Sequence, residues 1–107
     1  MLPISENNLN QINDACIKFH IKTLHLFGSA TTEDFNNDSD LDFLVEYFKD
    51  AEGLPKEPFN YFDFLFSLEE ITGRKVDLIV KDAVRNSYFK KAMEKQKVLV
   101  YEQRSLW

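Results

Sequence analysis

The sequence predicts an α/β (α+β) domain, a small mixed sheet with helices packed on one side. Three observations carry that prediction. The spacing of apolar residues switches repeatedly between three-to-four and two along 107 residues. Two stretches of period two follow one another across a polar loop, whereas a helical stretch separates the second from the third. Gly and Pro stand at the breaks between these stretches, as turn residues should. Adjacent strands joined by a loop and strands joined by a helix call for a mixed sheet.

Ser5 is placed to cap a first helix whose stripe is Leu9, Ile12, Cys16 and Phe19. After His20 the period becomes two, so Lys22 to Phe27 reads as a strand that ends at Gly28-Ser29. Residues 30–39 are polar, with room for a helical turn over 32–35 and a loop over 36–39. Asp40 to Tyr47 is the second strand, and the Gly53, Pro55 and Pro58 region is a loop. Pro58 opens a third element, an apolar helix through Phe59, Phe62, Leu65, Phe66 and Ile71, with Gly73 as its stop. Val76, Leu78 and Val80 alternate around Asp77 and Ile79 in a third strand. Asp82 is the expected cap of a last helix carrying Val84, Tyr88, Phe89, Ala92 and Met93, with a short strand from Val98 to Tyr101 after it. No repeat or linker divides the chain, so residues 1–107 read as one domain.

Composition narrows the function classes. With 18 acidic against 13 basic residues the net charge is −5, and no basic stripe exists to displace counterions from a long nucleic acid. A small phosphate ligand held through metal is still compatible with that charge. No basic region with an apolar core marks a signal peptide, and no apolar run reaches the ~18 residues of a membrane span. The single cysteine fits a reducing compartment, so a cytoplasmic protein without membrane association is expected. Ten Phe and four Tyr suit a core of large rings, with a partner surface as the other use for them.

The chemistry-bearing residues cluster at two strand ends. Asp40 and Asp42 are two apart and project to one side of a strand, where their charges repel unless a cation or shared proton joins them. Asp77 sits among apolar neighbours on the third strand and reaches the same cluster if that strand lies beside the second. Three carboxylates make a hard-oxygen site of the kind magnesium or manganese prefers, and two such ions stabilise both the attacking and leaving oxygens of a phosphoryl displacement. Gly28 lets backbone approach a ligand, while Ser29 adds a hydroxyl and exposed amides receive phosphate oxygens. Taken singly, each part also has a plain reading: a turn, a solvated Asp-x-Asp, an edge carboxylate facing water. Glu46 shares the parity of Asp40 and Asp42 but is expected in solvent, and His20 and His25 lack partners at ligand spacing. A calcium loop from Asp38 fails, because Phe43 stands where glycine is needed and Lys49 where the bidentate Glu belongs.

Gly28-Ser29, ten residues, Asp40-x-Asp42 and then Asp77 in Val-Asp-Leu-Ile together resemble the signature of the DNA polymerase beta-like nucleotidyltransferases. Within that superfamily the chain is most similar to the minimal nucleotidyltransferase (MNT) antitoxins, partners of HEPN-domain ribonuclease toxins. The resemblance implies a nucleotidyltransferase-like fold and the following roles. Gly28 and Ser29 hold a nucleoside triphosphate, Asp40 and Asp42 bind two Mg2+ ions, and Asp77 binds the catalytic ion and helps deprotonate the acceptor. It implies an adenylyltransferase that moves AMP from ATP to a hydroxyl, a tyrosine of the HEPN toxin in toxin-paired members, and so acts as antitoxin. A partner protein is expected to bring that hydroxyl, and an oligomer is compatible with the sequence. One departure stands out: Ala30-Thr31-Thr32 follows Gly-Ser where many of these antitoxins carry arginines, which removes charge from the triphosphate grip. That departure and the aromatic surplus favour the alternative, an antitoxin that binds and occludes its partner with a weak or unused nucleotide site. Transfer to a small molecule such as an aminoglycoside is a third and lesser reading.

Overall fold

The computed structural model describes residues 4–28, 40–48, 52 and 61–103. Ser29, the expected turn at 32–35, the loop regions after it, the loop around Gly53 and the Pro58 helix start all lie outside the described residues.

Helix α1 (Glu6–Lys18) begins where the sequence places it. Ser5 keeps extended backbone and its Oγ accepts the Asn8 amide at 3.1 Å, so one orphan donor of the first turn is satisfied. Ile12, Ala15 and Cys16 form its buried stripe. His20 then turns the chain with a φ of 58°, and β1 (Ile21–Phe27) follows directly. Strand β2 (Leu41–Tyr47) runs antiparallel to β1, with Leu24 opposite Val45 and Phe27 opposite Asp42.

Helix α2 (Tyr61–Thr72) stops at Gly73, whose φ of 67° is a left-handed conformation that glycine adopts without strain. Strand β3 (Val76–Val80) pairs parallel to β2, and β4 (Val98–Glu102) pairs antiparallel to β1. The sheet order is β3-β2-β1-β4, so it is mixed, as expected.

The last helix departs from the sequence reading at its start. A 3-10 turn at Lys81–Ala83 comes first, and α3 (Ser87–Gln96) is capped by Asn86, whose Oδ1 accepts the Phe89 amide at 3.0 Å. Asp82 is thus not the cap. The Asn86 carboxamide supplies the same acceptor four residues later, after an extended Val84.

Strand alternation sorts the sheet into two faces. Leu24, Leu26, Leu41, Phe43, Val45, Val76 and Leu78 point to one side and pack with Ile12, Cys16, Phe64 and Leu68 of α1 and α2. Phe19 meets Phe64 edge-on there, at 5.6 Å between centroids. The two longer helices therefore share one side, as the pattern requires. Phe27, Leu44 and Ile79 face the other side and meet Val84 and Met93, so α3 covers part of that second face. Among the described residues no helix is long and apolar enough to cross a membrane.

Candidate active site

The second face of the sheet carries a row of side chains at the end where β1 stops and β2 and β3 begin. Phe27 is opposite Asp42, and Asp42 is opposite Asp77 in the parallel pairing. The two carboxylates stand side by side because parity turns both to the face away from α1 and α2. Leu41 is tied to the residue that precedes β3 by its amide, which donates to the Lys75 carbonyl at 3.0 Å, so β2 and β3 start in register.

Asp77 is held by its neighbours on the strand. The Val76 amide donates to Glu69 Oε2 at 3.0 Å, and the Tyr61 hydroxyl donates to the Leu78 carbonyl at 2.5 Å. Both partners belong to α2, which thus grips β3 on either side of Asp77. Burial, and then the charge of Asp77, push the Tyr61 hydroxyl above its ordinary pKa.

Gly28 follows Phe27 with a φ of 73°. A Cβ at this position collides with Asp42 Oδ2 and lies 3.3 Å from Asp42 Cγ. The absence of a side chain is what lets the carboxylate lie against the β1 turn. Burial raises the Asp42 pKa above its ordinary value, and the charges of Asp77 and then Asp40 raise it further.

A cavity of about 320 Å³ opens on this row, lined by Phe27, Gly28, Asp42, Asp77 and Ile79 from the sheet and by Phe89, Ala92, Met93 and Gln96 from α3. No Lys, Arg or His is among these lining residues. The sequence-predicted residues thus divide. Gly28, Asp42 and Asp77 share the cavity, Asp40 is exposed one residue ahead of β2 and outside the lining, and Ser29 lies outside the described residues. Among the described residues no three His, Cys, Asp or Glu side chains are grouped closely enough to hold a metal. Two adjacent carboxylates nevertheless match the donor chemistry of a hard divalent cation.

Glu46 departs from its expected solvent position. It accepts the Thr23 hydroxyl at 3.2 Å and pairs with Lys81 at 3.8 Å and Lys22 at 3.9 Å, with a side chain only 19% exposed. The sequence reading carries Phe89, Ala92 and Met93 on the last helix and gives Gln96 no role. The signal for the α3 wall was its spacing: 89, 92, 93 and 96 fall on one helical face, and that face ends in an amide.

This architecture is that of a nucleotidyltransferase. The profile of the family described as polymerase beta, nucleotidyltransferase matches residues 10–105, and the chain belongs to that family. It is 32% identical over 83 residues to a Methanocaldococcus jannaschii protein named as a protein adenylyltransferase, a match spanning 78% of this chain and 80% of the relative. Two solved structures share the fold. One is a chain of a toxin–antitoxin crystallised with AMP-PNP, at a TM-score of 0.68 and 17% identity, covering 91% of this chain and 75% of that one. The other is a chain of a tri-AMPylated Shewanella oneidensis HEPN toxin in complex with MNT antitoxin, at a TM-score of 0.61 and 14% identity, covering 92% and 74%. The protein is therefore a nucleotidyltransferase, of a kind similar to the protein adenylyltransferases.

Proposed function

We propose that this protein transfers AMP from ATP to a tyrosine hydroxyl of a HEPN-type partner and acts as its antitoxin, as a single cytoplasmic domain dependent on magnesium. The observation that carries the reading is the in-register pair Asp42 and Asp77 beside Gly28, at a cavity whose lining holds no cation. The HEPN partner and its modification are suggested by the fold neighbour in which an MNT antitoxin is complexed with a tri-AMPylated HEPN toxin.

In this reading Gly28 and Ser29 seat the triphosphate through backbone amides and the Ser29 hydroxyl. Asp42 and Asp77 hold magnesium, and Asp40 joins them by turning its exposed side chain toward the cavity. Magnesium held there would neutralise phosphate charge. The acceptor oxygen attacks the α-phosphorus, a new O–P bond forms, and the bond to the bridging oxygen of pyrophosphate breaks. The Asp77 carboxylate receives the hydroxyl proton.

The test is incubation with α-labelled ATP, magnesium and a HEPN protein encoded beside it. Label on a partner tyrosine, lost in an Asp40→Ala, Asp42→Ala double variant, is expected. Retained transfer by that variant contradicts the assigned roles.

A second reading, occlusion of the partner without transfer, draws on a different surface. Phe62 and Phe66 of α2 are 63% and 58% exposed and lie 6.3 Å apart, on the side of the sheet remote from the carboxylates. Full neutralisation by the double variant favours this reading. Its loss with the complex still intact favours transfer.

A further inference from the structure

We infer that the α3 wall of the cavity is a nucleobase subsite, and that Gln96 makes it select adenine over guanine. This inference rests on the proposed use of ATP and adds which residues seat its base and which one reads it.

The cavity has two unlike sides. Gly28, Asp42 and Asp77 form a polar side suited to phosphates and cations, whereas Phe27, Ile79, Phe89, Ala92 and Met93 form a carbon side. A triphosphate gains nothing from carbon, and carbon set opposite two carboxylates offers them no partner. A ligand that is anionic at one end and a flat apolar ring at the other satisfies both sides. Phe89 supplies the platform: it is 42% exposed, and it meets Phe27 edge-on at 84° and 6.4 Å between centroids, so ring surface is left at the cavity for stacking. Stacking of a base on an aromatic side chain is tolerant of base identity.

Discrimination must then come from a polar group. Apart from the two carboxylates, Gln96 is the one polar side chain among the lining residues. Its carboxamide offers one acceptor and two donors. Adenine matches this with its N6 amino group and N7, a donor and an acceptor side by side, whereas guanine presents two acceptors, O6 and N7, at the same edge. The amide oxygen is satisfied by adenine and faces O6 of guanine. Gln96 follows Phe89 by seven residues, two helical turns along the same face, so platform and reader are set on one rigid element.

The test is calorimetric binding, in magnesium buffer, of a non-hydrolysable ATP analogue, the matching GTP analogue and inorganic tripolyphosphate. For the unaltered protein the adenine analogue is expected to bind about tenfold or more tighter than either of the others. Gln96→Leu brings the adenine-to-guanine ratio to about one with tripolyphosphate unchanged, and Phe89→Ala weakens both nucleotides about tenfold with tripolyphosphate again unchanged. Both side chains are exposed, and equal thermal melting of the variants confirms an intact fold. A ratio that survives Gln96→Leu overturns the inference. So does nucleotide binding insensitive to Phe89→Ala, which leaves the wall to another group such as the ring of the acceptor. If no triphosphate binds the unaltered protein, the functional reading falls along with this inference, a result distinct from both.

Discussion

The carboxylate of Asp42 occupies the space in which a side chain on Gly28 would stand. Gly28 directly follows β1 and Asp42 is the second residue of β2, so the turn and the acid are fitted to each other beside the Phe27–Asp42 pair. The glycine is required twice, by its φ of 73° and by this contact.

Gly28→Ala is therefore expected to separate stability from activity. A left-handed alanine costs about 1 kcal/mol, and the Asp42 carboxylate, as the end of a side chain, moves aside without much further loss. That movement displaces a group of the active site, and a misplacement of about 1 Å costs on the order of a hundredfold in rate. Denaturant titration and transfer assays on the same preparation check both figures.

Asp42→Asn is expected to do the opposite to stability. Replacing one of two adjacent carboxylates removes the repulsion that burial and Asp77 impose, and stability rises by roughly 0.5–1 kcal/mol, a gain kept small by solvent screening. Transfer activity is lost. A stabilised, inactive variant is the signature of an acid kept for chemistry, and a destabilised one contradicts it.

His25 gives the pH dependence of the fold a sign. It lies on the same face as Asp42, opposite Leu44. Burial lowers its pKa below the ordinary histidine value, the charges of Lys97 and Lys81 lower it further, and Glu94 and Glu46 oppose them. The unfolded chain therefore binds this proton more readily than the native one. Its contribution to stability is complete above the unfolded pKa of about 6.5 and is lost as pH falls toward the lower native value. Stability between pH 7 and 5 should fall less steeply in His25→Asn than in the unaltered protein.

Cys16 is expected to be chemically silent in the native state. It is fully buried in the α1 stripe, and burial pushes its thiol up to about 12. A thiol reagent at pH 8 should label it only at the rate of unfolding, with the rate rising across the denaturant transition. Rapid labelling in native buffer contradicts the packing of α1 on the sheet.

Much of this arrangement is legible in the amino-acid order. Period-two runs at Leu24–Phe27, Phe43–Tyr47 and Val76–Val80 announce β1, β2 and β3 because one face of each is buried. Ser5 and Gly73 mark helix ends through backbone chemistry that depends on no distant contact. Asp42 and Asp77 are legible as a pair once the parallel neighbourhood of β2 and β3 is assumed. Asp82 misled because both it and Asn86 are able caps, and the 3-10 turn after β3 is what moves the helix start to Asn86. Glu46 misled because parity gives the face of a residue but not the lysines that meet it there. Gln96 was passed over because the face of α3 that lines the cavity looks, in one dimension, like an ordinary core stripe.

The most direct test of the Asp42–Asp77 centre is the rate of AMP transfer by Asp77→Asn at saturating ATP and magnesium. The protein is expected to stay folded, bind nucleotide and lose transfer by at least about a thousandfold, as removal of a proton-accepting, charge-bearing group from a reacting centre requires. Transfer within tenfold of the unaltered rate places the chemistry elsewhere and contradicts the account.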